Sequence, residues 1–122
     1  MARLEIEQVD GVTVAKFLDT KILDDQVITQ IGNELLECVN STSNGKLLLD
    51  FSNVRFMSSS MLGRLVMLSK KCKSAKVDLK LCHLADDLAK VFTITNLHKV
   101  FDIKKNREKA IKAFEGKKGW FG

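Results

Sequence analysis

The run at residues 46–51, Lys-Leu-Leu-Leu-Asp-Phe, constrains the fold more than any other segment of this chain. Successive side chains of a β-strand point to opposite faces of its sheet, so Leu47, Leu48 and Leu49 place apolar side chains on both faces. A strand of this kind is typical of a parallel sheet that is covered by helices on both sides. We therefore expect the three leucines to be buried in a central strand.

Strand and helix patterns alternate along the rest of the chain. Residues 3–9 alternate polar and apolar side chains, and Asp10-Gly11 is typical of a tight hairpin turn before a second strand at residues 12–18. The later pattern predicts, in order, a helix that begins after Asp24 and ends at the cluster 40–45, the strand at 46–51, a helix after the serines at 58–60, a strand at 77–81, a helix at 86–92, a strand near 100–103 and a helix at 107–114. This order predicts an α/β fold with a mixed, mainly parallel central sheet, an N-terminal β-hairpin and about four helices.

The length of 122 residues fits one domain, which we place at residues 1–115, followed by a flexible, glycine-rich tail at residues 116–122. No apolar run approaches the ~20 residues that a membrane-spanning helix needs. The three cysteines, Cys38, Cys72 and Cys82, are an odd number without CxxC spacing. We therefore expect free thiols, a reducing compartment and a cytoplasmic protein that does not contact a membrane.

Basic residues are concentrated in the second half of the chain. Residues 1–69 contain six Lys and Arg against nine Asp and Glu, a net charge of −3, whereas residues 70–122 contain fourteen against six, a net charge of +8. A basic half of this kind leaves a small nucleotide- or nucleic-acid-binding protein open as an alternative. The lysines occur singly or in pairs among apolar residues, which favours a solvated surface, and we expect no direct binding to DNA.

Motifs of the common enzyme classes are absent from the sequence. It contains no GxGxxG, GxxxxGK(S/T), HExxH or GxSxG segment, so we expect no catalytic residue, no metal and no cofactor. His83 directly follows Cys82 in a predicted strand, where successive side chains point to opposite faces, so we expect these two residues not to share a metal ion. The sequence therefore predicts a protein that is not an enzyme and acts by binding.

The run Ser58-Ser59-Ser60 lies between the predicted buried strand and the second helix, at the carboxyl edge of the sheet, where α/β proteins place their sites. One serine is expected as the N-cap of the helix, because its hydroxyl accepts a hydrogen bond from a free backbone N–H. The other two are either small residues that let the turn close or a phosphorylation site. A helix N-terminus tolerates a phosphate group, while the same charge disrupts an apolar partner docked over it.

A resemblance to a known family is carried by residues 48–66, LLDFSNVRFMSSSMLGRLV. This segment is similar to the signature of the STAS domain, found in bacterial anti-sigma factor antagonists. In that signature a buried strand ending in Asp is followed by a short polar turn, an apolar pair, the sequence Asp-Ser-Ser-Gly-Leu-Gly and a helix. The resemblance extends over about residues 3–114 and includes the segment FTITNLHKVFDI at residues 92–103.

The resemblance implies a binding protein that is switched by phosphorylation. In this family the unphosphorylated protein binds an anti-sigma factor, usually also a serine kinase, and so frees the sigma factor; phosphorylation of a serine ends binding, and a phosphatase restores it. Matching the motif assigns the phosphoacceptor to Ser59, with Ser58 and Ser60 as neighbouring candidates. It also implies partner contacts at Ser58, Ser60, Met61 and Arg64.

Two residues depart from the family signature. Ser58 stands where Asp is common, which removes a carboxylate that could orient the acceptor hydroxyl, and Met61 stands where Gly is common. The methionine either adds an apolar contact on the docking face or fills the turn. These departures leave open a second interpretation, a STAS scaffold module in a signalling complex without a sigma target.

Overall fold

The computed structural model describes the backbone of residues 2–121 and the side chains of residues 2–115. Seven strands and four α-helices lie within this range. In chain order the elements are β1 (Leu4–Val9), β2 (Val12–Phe17), β3 (Lys21–Ile22), α1 (Asp25–Ser41), β4 (Lys46–Asp50), β5 (Phe56–Met57), α2 (Ser59–Ser74), β6 (Asp78–Cys82), α3 (Asp86–Ile94), a 3₁₀ turn (Leu97–Lys99), β7 (Asp102–Lys104) and α4 (Arg107–Phe121).

Five of the strands form one sheet in the order β1-β2-β4-β6-β7. Strand β1 pairs with β2 in the antiparallel direction, and each of the other neighbouring pairs is parallel. Asp10 and Gly11 between β1 and β2 have φ values of 51° and 80°, as a tight hairpin turn requires. The predicted α/β fold, with a mainly parallel sheet, an N-terminal hairpin and four helices, is confirmed.

Strand β4 occupies the centre of this sheet, and Leu47, Leu48 and Leu49 each have 0% exposure. Leu47 and Leu49 pack in the larger core cluster with residues of α1 and α2, while Leu48 packs in a second cluster with residues of α4. Helices therefore cover both faces of the strand, which confirms the prediction from the apolar run. Full burial of one leucine side chain contributes about 1.5–3 kcal/mol, so β4 is a major source of stability.

A second, smaller sheet pairs β3 with β5 in parallel. The sequence pattern predicts neither these strands nor the 3₁₀ turn. Strands β3 and β5 have only two residues each and are too short to show a periodic pattern. The small sheet lies where two helices begin, because β3 leads into α1 and β5 leads into the serine run.

The cysteines are free, as predicted, and all three are buried. Burial raises the pKa of the Cys38 and Cys72 thiols to about 11 and that of the Cys82 thiol to about 12. Nearby carboxylates reinforce the rise at Cys38 and Cys82. All three thiols are therefore protonated at neutral pH and pack as small apolar side chains.

The expectation that Cys82 and His83 point to opposite faces is wrong. Strand β6 ends at Cys82, and His83 has a left-handed backbone with a φ of 60°. The sulfur of Cys82, a nitrogen of His83 and a carboxylate oxygen of Asp50 all lie within 4.8 Å of one another. Alternation of side chains holds only for extended backbone, and His83 is the first residue that leaves it.

A network of charged groups fixes the start of α4 against the sheet. The Arg107 guanidinium donates hydrogen bonds to Asp50 Oδ2 at 2.8 Å and to the Glu7 carboxylate, and the Arg107 backbone N–H donates to His83 Nε2 at 3.4 Å. Burial opposes ionisation of Asp50, but hydrogen bonds from Arg107 and Ser52 outweigh it, so the pKa of Asp50 lies below its usual value. Hydrogen bonding to Asp50 likewise raises the pKa of Arg107.

The predicted tail at residues 116–122 lies outside the part of the chain whose side chains the structure describes, although α4 is assigned as far as Phe121. The division into a domain at residues 1–115 and a flexible tail therefore stays a prediction.

A lysine is buried on the face of the sheet that α4 covers. Lys80 Nζ donates to Asp102 Oδ2 at 2.6 Å and lies 4.9 Å from the centre of the Phe114 ring. Burial opposes ionisation of Asp102, but hydrogen bonds from Lys80 and Lys104 outweigh it and hold the pKa of Asp102 below its usual value. A carboxylate whose pKa is lowered by folding stabilises the fold at pH values above the pKa that it has in the unfolded chain. This contribution is lost as the pH falls through the lower pKa of the folded state.

We expect Asp102→Asn to lower the free energy of unfolding at neutral pH by about 1 kcal/mol, a modest value because the carboxylate is 42% exposed and is screened by water. The difference from the wild type should shrink below about pH 4, because the wild-type carboxylate then becomes protonated as well. Urea denaturation across this pH range measures both effects. Glu5→Gln on the exposed side of β1 is the control, and a difference for Asp102→Asn that does not change with pH would contradict the ion pair.

Candidate functional site

Helix α2 begins at the serine run, immediately after β5. Ser58 is the N-cap of the helix, with φ −76° and ψ 162°, and its Oγ accepts a hydrogen bond from the N–H of Met61 at 3.3 Å. Ser59 and Ser60 are the first two helical residues, and both are exposed. The expected position of Ser59 at an exposed helix N-terminus is confirmed, while its phosphorylation stays a prediction.

The small sheet fixes the backbone that enters α2. Lys21 pairs with Phe56 and Ile22 with Met57, and the N–H of Ser58 donates to the carbonyl of Ile22 at 3.0 Å. These bonds hold the chain entering α2 beside the chain entering α1. The serine run therefore follows a backbone segment that is paired with β3 at Phe56 and Met57, and it does not follow a free loop.

The N-terminus of α2 differs in charge from those of the other helices. The first turns of α1, α3 and α4 contain acidic residues, whereas the first turn of α2 contains none. The backbone dipole gives each helix N-terminus a partial positive charge, which acidic side chains in the first turn complement. At α2 this positive end is left without an acidic side chain of its own helix, and Ser59 stands in that first turn.

Met61 is fully buried, so its side chain presents no surface to a partner in this structure, and its partner contact stays a prediction. Its side chain lies on the same helical stripe as Leu65, Leu68 and Cys72, which all face the core. Of the two roles that its position allows, filling the turn is therefore the one that the structure supports.

Arg64 lies across α1 and is half-buried. Its Nη2 donates to Thr29 Oγ1 at 3.4 Å, and a Cβ added at Gly32 would lie only 3.0 Å from its Nη1. Glycine at position 32 thus leaves the space that the guanidinium fills. Arg64 helps to pack α2 against α1 and keeps only part of its side chain available to a partner.

An open groove of about 390 Å³ lies beside β5, and we call it the junction groove. Its lining residues are Lys21, Leu23, Arg55, Phe56, Met57, Asp87, Leu88 and Val91. Phe56 is 55% exposed and Leu23 is 53% exposed, so the groove presents a patch of apolar surface to solvent. Lys21 Nζ lies 5.7 Å from the centre of the Phe56 ring, so a cation–π contact joins two of the lining side chains.

Val91 belongs to this exposed apolar surface rather than to the core. The helical pattern predicts that Leu88, Val91 and Phe92 all face inward, and Leu88 and Phe92 are indeed buried. Val91 is 37% exposed and lines the junction groove instead. The apolar stripe of α3 is therefore wider than the area that the core covers.

Among the helices of the described residues, none is long and apolar enough to span a membrane.

The family model of the STAS domain matches residues 3–110. The chain belongs to the STAS domain family. BtrV of Bordetella bronchiseptica, which is named as an anti-sigma factor antagonist, is 24% identical to this STAS protein over 113 residues, covering 93% of this chain and 95% of BtrV.

Solved structures show the same fold. An anti-sigma factor antagonist domain protein of Planctomyces limnophilus superposes with a TM-score of 0.80 at 23% identity, covering 93% of this chain and 98% of that chain. The Bacillus cell fate determinant SpoIIAA in its phosphorylated form superposes with a TM-score of 0.67 at 18% identity, covering 91% of this chain and 98% of that chain.

The sequence identified the serine run but not the surface beside it. Lys21-Ile22 and Phe56-Met57 each place one strand-forming residue, Ile22 or Phe56, shortly before a helix, and this repetition is the signal that could have indicated their pairing. The groove depends on this pairing and on the exposed side of α3, so it required the tertiary structure.

We expect Ser58→Ala to lower the free energy of unfolding by about 1 kcal/mol, because it removes the N-cap acceptor. Ser59→Ala and Ser60→Ala should change it by less than about 0.5 kcal/mol, because both side chains are exposed. Ser58→Asp is the matched control and should retain stability, since aspartate caps a helix as well as serine does. Urea denaturation distinguishes these cases, and a larger loss at Ser59 than at Ser58 would contradict the N-cap assignment.

Proposed function

We propose that this STAS protein is an anti-sigma factor antagonist that binds an anti-sigma factor with serine kinase activity, and that phosphorylation of Ser59 by this kinase ends binding. A serine phosphatase restores the binding form. The observation that carries the proposal is the position of Ser59, which is exposed in the first turn of α2, two residues after Met57 in the lining of the apolar groove. The protein acts by binding, and its three free thiols fit a cytoplasmic location.

The fold tolerates a phosphate on Ser59. The first turn of α2 has no acidic side chain, so the added negative charge meets the positive end of the helix dipole without repulsion from its own turn. At an exposed position this interaction favours the charge by about 0.3–1 kcal/mol. Phosphorylation therefore leaves the free STAS protein folded.

A bound partner does not tolerate the same phosphate. The junction groove, whose lining includes Met57 directly before the serine run, presents the exposed apolar side chains Leu23, Phe56 and Val91, which suit an apolar partner surface. Closing such an interface over a phosphoserine with a charge of about −1.5 to −2 requires that charge to lose its water. The cost falls on the complex and not on the free protein, which is what a switch requires.

Ser59 is better suited as the acceptor than Ser58. The Ser58 hydroxyl already accepts the capping hydrogen bond from Met61, and Ser58 is only partly exposed. Modification of Ser58 would change the group that caps α2, whereas modification of Ser59 leaves the cap in place. Ser60 is exposed as well and is the second residue to test.

The first test compares binding and stability in the Ser59→Asp variant. It should weaken binding to an anti-sigma serine kinase partner at least about tenfold, or ~1.4 kcal/mol, in isothermal titration calorimetry. Its melting temperature should stay within a few degrees of the wild type. Ser74→Asp, with an exposed serine at the other end of α2, is the matched control for the added charge and should bind normally.

Ser59→Ala should bind like the wild type and should not be phosphorylated. Normal binding by Ser59→Asp, together with full phosphorylation of Ser59→Ala, would rule out Ser59 as the switch. If the Ser58 and Ser60 variants also behave like the wild type, the result favours a STAS scaffold module without a kinase-controlled sigma target.

The second test addresses the junction groove. Phe56→Ala should weaken partner binding at least about fivefold, because a half-exposed aromatic side chain at a docking surface is a common binding hot spot. Ile6→Ala removes a similarly exposed apolar side chain from edge strand β1, outside the groove, and should leave binding unchanged. Equal effects of the two variants would contradict docking at the junction groove.

A further inference from the structure

Three side chains with metal-ligating atoms meet at the carboxyl ends of β4 and β6. They are the carboxylate of Asp50, the thiol of Cys82 and the imidazole of His83, and one ligand atom from each lies within 4.8 Å of the other two. Asp50 and Cys82 are buried, and His83 is half-buried. The cluster lies on the side of the sheet that packs against α4.

The cluster depends on an uncommon backbone conformation. His83 has a φ of 60°, in the left-handed region that residues with a side chain rarely adopt. An extended backbone at this position would place the imidazole on the face opposite to Cys82. The left-handed conformation therefore brings the imidazole to the thiol and the carboxylate, and it carries a local energetic cost.

The three ligand types match the preference of Zn²⁺ and related ions. Zn²⁺ binds thiolate, imidazole and carboxylate groups in tetrahedral sites, in which neighbouring ligand atoms are separated by roughly 3.5 Å. Ligand atoms that already lie within 4.8 Å need to move only a short distance to reach this geometry. Three protein ligands leave one coordination position for a water molecule.

Arg107 supplies positive charge to this cluster. Its guanidinium donates to Asp50 Oδ2 at 2.8 Å, its backbone N–H donates to His83 Nε2 at 3.4 Å, and Ser52 N–H donates to Asp50 Oδ1 at 2.9 Å. The Arg107 side chain is 29% exposed and reaches the cluster from the protein surface. A metal ion and the guanidinium would compete for the same carboxylate.

We propose that Asp50, Cys82 and His83 form a binding site for a divalent transition-metal ion of the Zn²⁺ class, which is occupied when the Arg107 side chain moves away from Asp50. Binding forms a sulfur–metal bond, and the Cys82 thiol releases its proton to solvent. This site is separate from the junction groove and does not depend on the proposed function.

Co²⁺ is the probe, because a cysteine ligand gives a thiolate-to-cobalt absorption band in the near ultraviolet and tetrahedral coordination gives intense visible bands. The full chain, freed of metal with a chelator, should develop both bands and saturate at one Co²⁺ per chain, and Zn²⁺ should abolish them. No thiolate–cobalt band at about a tenfold excess of Co²⁺ would overturn the proposal.

Variants locate the site. Cys82→Ser should lose the thiolate–cobalt band, and His83→Ala should lose the tetrahedral bands. Cys72→Ser is the matched control, because Cys72 is also a free, buried cysteine but lies outside the cluster. Retention of the band in Cys82→Ser, or its loss in Cys72→Ser, would overturn the assignment.

The role of Arg107 has a test of its own. Arg107→Gln removes the competing charge and should tighten Co²⁺ binding at least about threefold, the effect expected for losing a partly exposed ion pair. Circular dichroism confirms that the variant is folded. Unchanged or weaker binding in the folded variant would contradict competition by Arg107.

Discussion

Burial of the β4 leucines between two layers of helices determines where the functional residues of this STAS protein lie. Leu47 and Leu49 require α1 and α2 on one face of the sheet, and Leu48 requires α4 on the other. The carboxyl end of β4 therefore opens at an edge between the two layers. The chain leaves this edge through Asp50 and returns to it at the serine run, which begins α2.

Two kinds of groups lie at this edge: groups that stabilise the fold, and groups that are exposed to solvent. The ion pair of Asp50 and Arg107 holds α4 against the sheet, and Ser58 caps α2. Ser59, Leu23 and Phe56, by contrast, are exposed and make little contribution to the core. The proposed switch uses this difference: charge at Ser59 costs the fold little, while a partner docked on the neighbouring apolar surface would meet that charge.

The sequence predicts those features that depend on local chemistry or on a long regular pattern. The leucines of β4 follow from an apolar run, the N-cap of α1 follows from Asp24, and the exposed position of Ser59 follows from the junction of a strand and a helix. The family resemblance adds the role expected of that serine. None of these inferences requires knowledge of which distant segments meet.

The features that the sequence does not predict depend on tertiary contacts or on single backbone angles. Strands β3 and β5 exist because two distant dipeptides pair, and neither has a pattern of its own. Met61 is buried because the apolar stripe of α2 begins one residue earlier than Leu62. The meeting of Cys82 and His83 follows from one left-handed residue, which no periodicity reveals.

The central claim, that Ser59 carries the switch, is tested most directly by mapping the modification itself. The wild-type protein is incubated with ATP and an anti-sigma serine kinase that binds it, and peptide mass spectrometry then locates the phosphate. The account predicts one phosphate per chain, on Ser59, in a folded protein that no longer binds the kinase. Phosphate on any residue other than Ser59, or a Ser59-phosphorylated protein that binds as tightly as the unmodified form, would contradict it.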